Sequence, residues 1–366
     1  MSFRDRLRPD IAELSALRLF DYGSTRTDLV RLDCNEAPFG VDADVMDEFR
    51  AELDRLSLNR YPDVSGEPLR RALAARWGVE TEEILLGNGS IELLALLMTA
   101  FGGVRTGRPA KVLYPDPSFP HYEVIARTSG LVPIPVPLEA DFRLDEGKVT
   151  AAIAEHDPAL ILIASPNNPT GNAFDPDALE RLARRSDAVF VVDEAYADFA
   201  GGGGAPATLI PRARRTPGLL VTRTFSKIGY AGMRLGALLG AREVVSELDK
   251  VRLPWNVNAF TLAFAQVLLR HPERMEARAR HVIELRADLR ARLQAVPGVV
   301  VFPSEANFVL VRIPLPTAAV FARMCALGVL VKNVSRPGLL ERCLRITVGT
   351  AVENARCASV LATALR

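Results

Sequence analysis

From about position 70 to 250 short apolar runs alternate with longer stretches whose apolar residues recur at helical spacing. That alternation predicts βαβ units and a mainly parallel sheet. Glu83 to Leu86, Lys111 to Tyr114, Ala159 to Ala164, Ala188 to Val192 and Gly218 to Thr222 read as strands, and Ile91 to Phe101 as a helix. Nearly every strand runs into a polar or glycine-rich loop: G-N-G-S, P-D-P-S, S-P-N-N-P-T-G, D-E-A-Y and R-T-F-S-K. Ligands of open α/β sheets sit outside the carboxyl ends of the strands, so these loops are expected to converge on one site. Between Leu248 and Thr261 the segment L-P-W-N-V-N breaks the pattern. Beyond it lie an arginine-rich helical stretch, Glu273 to Gln294, and strands near Val299 to Phe302 and Phe308 to Ile313. A domain boundary is expected there: residues 1–36 form an arm and the start of a small domain, 37–250 a large domain, and 251–366 a linker helix and the rest of the small domain. Gly201 to Gly204, four consecutive glycines, read as a mobile surface loop without chemistry.

Composition narrows the function classes. The chain has 366 residues, 49% of them apolar, enough for a large core. With 45 Lys and Arg against 44 Asp and Glu, no electrostatic footprint for nucleic acid or an anionic membrane is evident, and neither is expected as a partner. Cys34, Cys325, Cys343 and Cys357 are far apart, and His121, His156, His271 and His281 are equally scattered. Neither a disulfide framework nor a metal site is expected. The charged N-terminus (Arg4, Asp5, Arg6, Arg8) is unlike a secretory signal, which suggests a cytoplasmic protein. The longest apolar stretch, Leu93 to Phe101, is far short of the ~20 residues that span a bilayer.

The most informative segment is T-R-T-F-S-K, Thr222 to Lys227, followed by A-G-M-R-L-G with Arg234. A shielded lysine amine can form a Schiff base with an aldehyde, and Ser226 and Arg234 suit a phosphate, so the pair of motifs points to pyridoxal 5'-phosphate. Taken alone, Lys227 would be a solvated surface group. Asp193 ends the apolar run Val189 to Val192, where a bare carboxylate is costly without a partner. It is either a helix cap or the partner of a protonated pyridine nitrogen. Tyr196 and Asn168, the latter aimed by the Pro169-Thr170-Gly171 turn, could contact the ring's phenolate oxygen. Gly87-Asn88-Gly89-Ser90 leads into a helix, an arrangement that presents backbone N–H groups to an anion.

S-P-N-N-P-T-G, D-E-A-Y and T-F-S-K-x-x-x-A-G-x-R-x-G, in this order, resemble the fold type I pyridoxal-phosphate-dependent aminotransferases. The resemblance runs from about Arg31 to the C-terminus. It is strongest to the histidinol-phosphate aminotransferases, through L-D-C-N-E-A-P-F-G (Leu32 to Gly40), N-R-Y-P-D (Asn59 to Asp63), F-P-S-E-A-N-F-V-L-V-R (Phe302 to Arg312) and C-L-R-I-T-V-G-T (Cys343 to Thr350). It implies a large domain with a mainly parallel seven-stranded sheet flanked by helices, plus a smaller α+β domain. It also implies Lys227 as the catalytic lysine, Asp193 on the ring nitrogen, and Asn168 and Tyr196 on the ring oxygen. Ser90, Ile91, Thr224, Ser226 and Arg234 fall at the cofactor, Phe119 on its ring, and Tyr61 at the cofactor phosphate of a partner subunit. Arg345, Lys332, Asn35 and Asn256 fall at the substrate, with Arg336 as a possible further anion contact. Considered alone, Tyr61 and Phe119 would be core aromatics and Arg345 half of a strand-end salt bridge; Asn256 and Asn258 read equally as turn residues. Two departures stand out: Ile91 replaces a common aspartate, and Lys332 a common arginine that would offer a bidentate fork. Leu17, Phe20 and Tyr22 stand near the place of an aromatic residue in the N-terminal arm.

The expected activity is transfer of an amino group between glutamate and imidazole-acetol phosphate, giving histidinol phosphate and 2-oxoglutarate, by a homodimer. Rival expectations are an aromatic aminotransferase and a threonine-phosphate decarboxylase-like lyase. A non-catalytic cofactor-binding regulator is disfavoured, because no basic recognition helix is evident.

Overall fold

The computed structural model describes residues 8–14, 29–105, 107–201 and 208–366. Leu17, Phe20, Tyr22 and Gly202 to Gly204 lie outside them. In chain order the strands are β1 (Val30–Leu32), β2 (Ile84–Gly87), β3 (Val104–Arg105), β4 (Arg108–Pro109), β5 (Lys111–Asp116), β6 (Val132–Pro137), β7 (Leu160–Ala164), β8 (Val189–Asp193), β9 (Leu219–Thr224), β10 (Gly236–Leu239), β11 (Val300–Val301), β12 (Phe308–Arg312), β13 (Val329–Asn333) and β14 (Cys343–Thr347). A seven-stranded sheet has the order β2-β10-β9-β8-β7-β5-β6. Within it only β10 is antiparallel to its neighbours. The expected strands are all present, and the expected parallel sheet is the core of the molecule.

Side-chain alternation explains why this sheet is buried on both faces. Leu160 and Leu162 enter one apolar cluster with the helices Ser90–Phe101 and His121–Thr128, while Ile161 and Ile163 enter another with Glu67–Trp77, Pro176–Arg184 and Pro272–Gln294. The central strands β7 and β8 are therefore continuous apolar runs rather than alternating ones. Asp175 starts the helix Pro176–Arg184 by accepting from the N–H groups of Asp177 and Ala178, which satisfies donors a helix start leaves free.

Two strands of the large sheet were not evident in the residue pattern. β6, Val-Pro-Ile-Pro-Val-Pro, has three prolines, which ordinarily argue against a strand. Its place at the sheet edge resolves this: Val132 N–H donates to the Ala110 carbonyl and Leu138 N–H to Asp116, so the alternate positions, all proline, face away from β5. β10 is only four residues long and is held between β2 and β9.

A second, five-stranded sheet has the order β1-β13-β14-β12-β11. Here β1, from the start of the chain, pairs in parallel with β13, from near its end. The helix Ala259–Leu269, capped by the Asn258 side chain accepting from Thr261 N–H, packs against Ala43–Leu53 and Glu67–Trp77. Among the described residues no helix is long and apolar enough to cross a membrane.

Candidate active site

The carboxyl ends of β2, β8 and β9 and the start of β10 lie at one edge of the large sheet, since Gly236 is in register with both Gly87 and Thr224. Lys227 follows β9 in an irregular helical turn broken at Gly229, whose φ is +110°. Its Nζ stands 3.5 Å from the Cys34 carbonyl and 5.9 Å from the centre of the Tyr196 ring. The amine thus faces the loops from the sheet rather than solvent alone.

Asp193 is buried at the end of β8. Its Oδ2 accepts from the Tyr122 hydroxyl at 3.0 Å, and its Oδ1 from Thr222 Oγ1 at 3.1 Å and Ala195 N–H at 3.2 Å. Burial pushes its pKa up, and these three donors together with the Lys227 charge pull against that. The Ala195 contact shows that Asp193 also closes the turn after its strand. Tyr122 and Thr222 were not singled out as site residues. A buried tyrosine in an amphipathic helix carries no signal of its partner.

The Tyr196 hydroxyl accepts from Asn35 Nδ2 at 2.9 Å. Asn35 is buried with φ at +55°, and its backbone N–H and side-chain oxygen both meet Thr347 Oγ1. Asn307 ties this corner to the lysine turn through the carbonyls of Asn35 (2.8 Å) and Lys227 (3.4 Å). Asn168 Oδ1 accepts from Arg345 at 2.7 Å, and a second Arg345 nitrogen donates to the Asp33 carbonyl at 2.6 Å. Arg345 is buried, which lowers its pKa, and its Nε has no partner. It is therefore no strand-end salt bridge. Lys332 is its register partner across β13 and β14. Arg336 pairs instead with Asp116.

At the other end of the site Gly89, with φ +80°, precedes the helix Ser90–Phe101. A Cβ on Gly89 would lie 2.6 Å from an Arg234 guanidinium nitrogen, and one on Gly236 would lie 2.6 Å from Ser90 N. Glycine at both positions leaves room for a cradle made of a helix start and a guanidinium, a geometry that suits a phosphate. Thr224 Oγ1 donates to Ser226 Oγ at 3.0 Å, and Arg234 approaches the same Ser226 oxygen at 3.4 Å. Ile91 is exposed, so its side chain does not obstruct the N–H groups. Phe119 is half-buried and meets Tyr122 edge-on at 5.5 Å between ring centres.

Two of the expected residues stand apart. Tyr61 is 76% exposed, which rules out the core reading, and it stacks on Trp255 at 4.2 Å. Asn256 donates to the Leu86 carbonyl and to Glu92, and accepts from Arg252. That commits its amide to bracing the turn that leads into the helix Ser90–Phe101.

The architecture, with these loops gathered at the sheet edge, is that of the fold type I transferases. A sequence model described as aminotransferase class I and II matches residues 27–361. The chain belongs to that family. It is 42% identical over 351 residues to histidinol-phosphate aminotransferase 2 of Nitrosococcus oceani, covering 95% of this chain and 94% of that one. It is 40% identical to histidinol-phosphate aminotransferase of Chromobacterium violaceum, covering 99% and 98%. The crystal structure of histidinol-phosphate aminotransferase from Sinorhizobium meliloti in complex with pyridoxal-5'-phosphate superposes with a TM-score of 0.88 at 24% identity, covering 99% of this chain and 98% of that one.

Proposed function

We propose that this chain is a pyridoxal-phosphate-dependent aminotransferase of histidine biosynthesis, interconverting histidinol phosphate plus 2-oxoglutarate and imidazole-acetol phosphate plus glutamate. One observation carries the reading: an amine at Lys227 and a buried carboxylate at Asp193 lie beyond the carboxyl ends of the large sheet's strands, and Arg345, register partner of Lys332 on the small sheet, donates to Asn168 in the loop after β7 of that large sheet. The donor set suits the cofactor, with a glycine-lined cradle for its phosphate and a hydrogen-bonded carboxylate for its ring nitrogen. When bound, that group supplies an aldehyde that condenses with amines and a ring that withdraws electrons from the substrate's Cα.

Each residue then has a defined task. Asp193 holds a negative charge beside the ring nitrogen. Tyr196 and Asn168 are placed for the ring oxygen, with Asn35 and Arg345 fixing their side chains. Ser90, Ile91, Thr224, Ser226 and Arg234 enclose the phosphate, Ile91 through its backbone alone. Phe119 covers a ring face. Lys227 moves a proton at the substrate's Cα, a role worth ~10²–10⁴-fold in rate. Arg345 and Lys332 bind the substrate's anionic groups.

Tyr61, Leu58 and Leu253 are each at least 68% exposed and Trp255 41%, a cluster of apolar side chains that suits burial against a second copy of the chain. In this reading the enzyme is a homodimer, and Tyr61 reaches the partner's cofactor phosphate. The division at residues 36 and 250 into a large cofactor-binding unit and a smaller one, and a cytoplasmic location, belong to the same proposal.

A substrate panel followed through the cofactor's visible absorbance tests it. Glutamate and histidinol phosphate should each convert the cofactor to its amine form. Preference for phenylalanine would point to an aromatic aminotransferase, and carbon dioxide release without a keto-acid acceptor to a lyase.

A further inference from the structure

His121 is absent from the roles assigned above, yet its surroundings are unusual. It opens the helix His121–Thr128, and its ring stacks on Phe119 at 5.0 Å with 23° between planes. Its Nδ1 is buried and has no hydrogen-bond partner. A buried imidazole nitrogen left unpaired costs free energy unless something not present in the chain satisfies it.

The neighbouring groups indicate what that something is. Lys332 lies within electrostatic reach of His121 and, with burial as the larger cause, lowers its pKa. The imidazole is therefore neutral at neutral pH, with one nitrogen available to donate. The Lys332 side chain forms no hydrogen bond or ion pair among the described residues, and across the strands Arg345 keeps its buried Nε free. The pairing of Arg336, just past β13, with Asp116, at the end of β5, pins the small sheet to the loop that carries His121. His121, on the helix that follows β5, and Lys332 and Arg345, opposite each other on adjacent strands of the small sheet, thus each keep a nitrogen without a chain acceptor. A carboxylate has two oxygens to offer, whereas a phosphate monoester has three.

We propose that His121 is a specificity-determining residue, the third donor, beside Lys332 and Arg345, to the phosphate of the phosphorylated substrate. This rests on the reading of the chain as a histidinol-phosphate aminotransferase and adds the residue that separates that substrate from glutamate. The Phe119 stack fixes the ring, so the donor is pre-positioned.

The test uses the cofactor-loaded enzyme and its visible absorbance as a binding and half-reaction signal. His121→Phe keeps a ring against Phe119 and removes the donor; His121→Gln keeps a donor. In His121→Phe the half-saturating histidinol phosphate concentration should rise roughly tenfold to a hundredfold, the worth of one hydrogen bond to a charged group. Half-saturation by glutamate should stay within about twofold, as a substrate without the phosphate loses no contact. His121→Gln should recover part of the loss, and inorganic phosphate should compete with histidinol phosphate less well against His121→Phe than against the wild type. An equal rise for both substrates, or none for either, overturns the inference while leaving the activity standing. A wild-type enzyme that gives no signal with histidinol phosphate overturns both.

Discussion

Replacing Gly236 by alanine probes the phosphate cradle through a residue that touches no ligand. A methyl group there would meet Ser90 N and the Gly89 carbonyl carbon at 2.6 Å. Both are backbone atoms, so relief requires the Gly89–Ser90 turn to retreat by roughly 0.8 Å before ordinary contact distances return. A shift of that size takes an N–H···O bond of ~2.9 Å beyond hydrogen-bonding range. One charge-assisted hydrogen bond is worth about 1.5–3 kcal/mol, so affinity for pyridoxal 5'-phosphate should fall roughly tenfold to a hundredfold. Overpacking itself should cost about 1–3 kcal/mol of folding stability, measurable by urea unfolding. Titrating the cofactor-free variant with pyridoxal 5'-phosphate and, separately, with pyridoxal isolates the phosphate's share. Only the phosphorylated ligand should weaken. If both ligands weaken by the same factor, or neither does, the glycine turn is not the phosphate site.

Lys227→Ala should fold and lose at least ~10²-fold in turnover, and borohydride should fix the cofactor to the wild-type chain but not to the variant. Cys357 is fully buried, which pushes its thiol up to about 12 from an ordinary value of 9.0. The folded chain therefore holds this proton more tightly than the unfolded chain, so the stability it contributes is complete below pH 9 and is lost as pH rises from about 9 towards 12. That loss should reach about 4 kcal/mol at the top of the window, and Cys357→Ala should flatten the decline of unfolding free energy between about pH 8 and 10. Leu253, 72% exposed, should weaken self-association when changed to aspartate; sedimentation of a wild-type enzyme that is fully active as a monomer would exclude the shared site.

The sequence by itself determined the parallel sheet, because strands buried on both faces must be continuous apolar runs, as in Leu160–Ala164 and Val189–Asp193. It also marked Lys227, Asp193, Asn168, Tyr196 and Arg234, since each stands in a short polar motif at the end of such a run or close beyond it. What it left hidden was set by residues distant in the chain. Three prolines are compatible with β6 only because the sheet ends there. Tyr122 becomes a partner of Asp193 across 71 positions, and Asn35 meets Thr347 across 312. Gly236 matters because a neighbouring strand's turn lies where its side chain would go. Local periodicity records how much of each residue is buried; which partner it meets depends on register and packing, which only the closed tertiary structure decides.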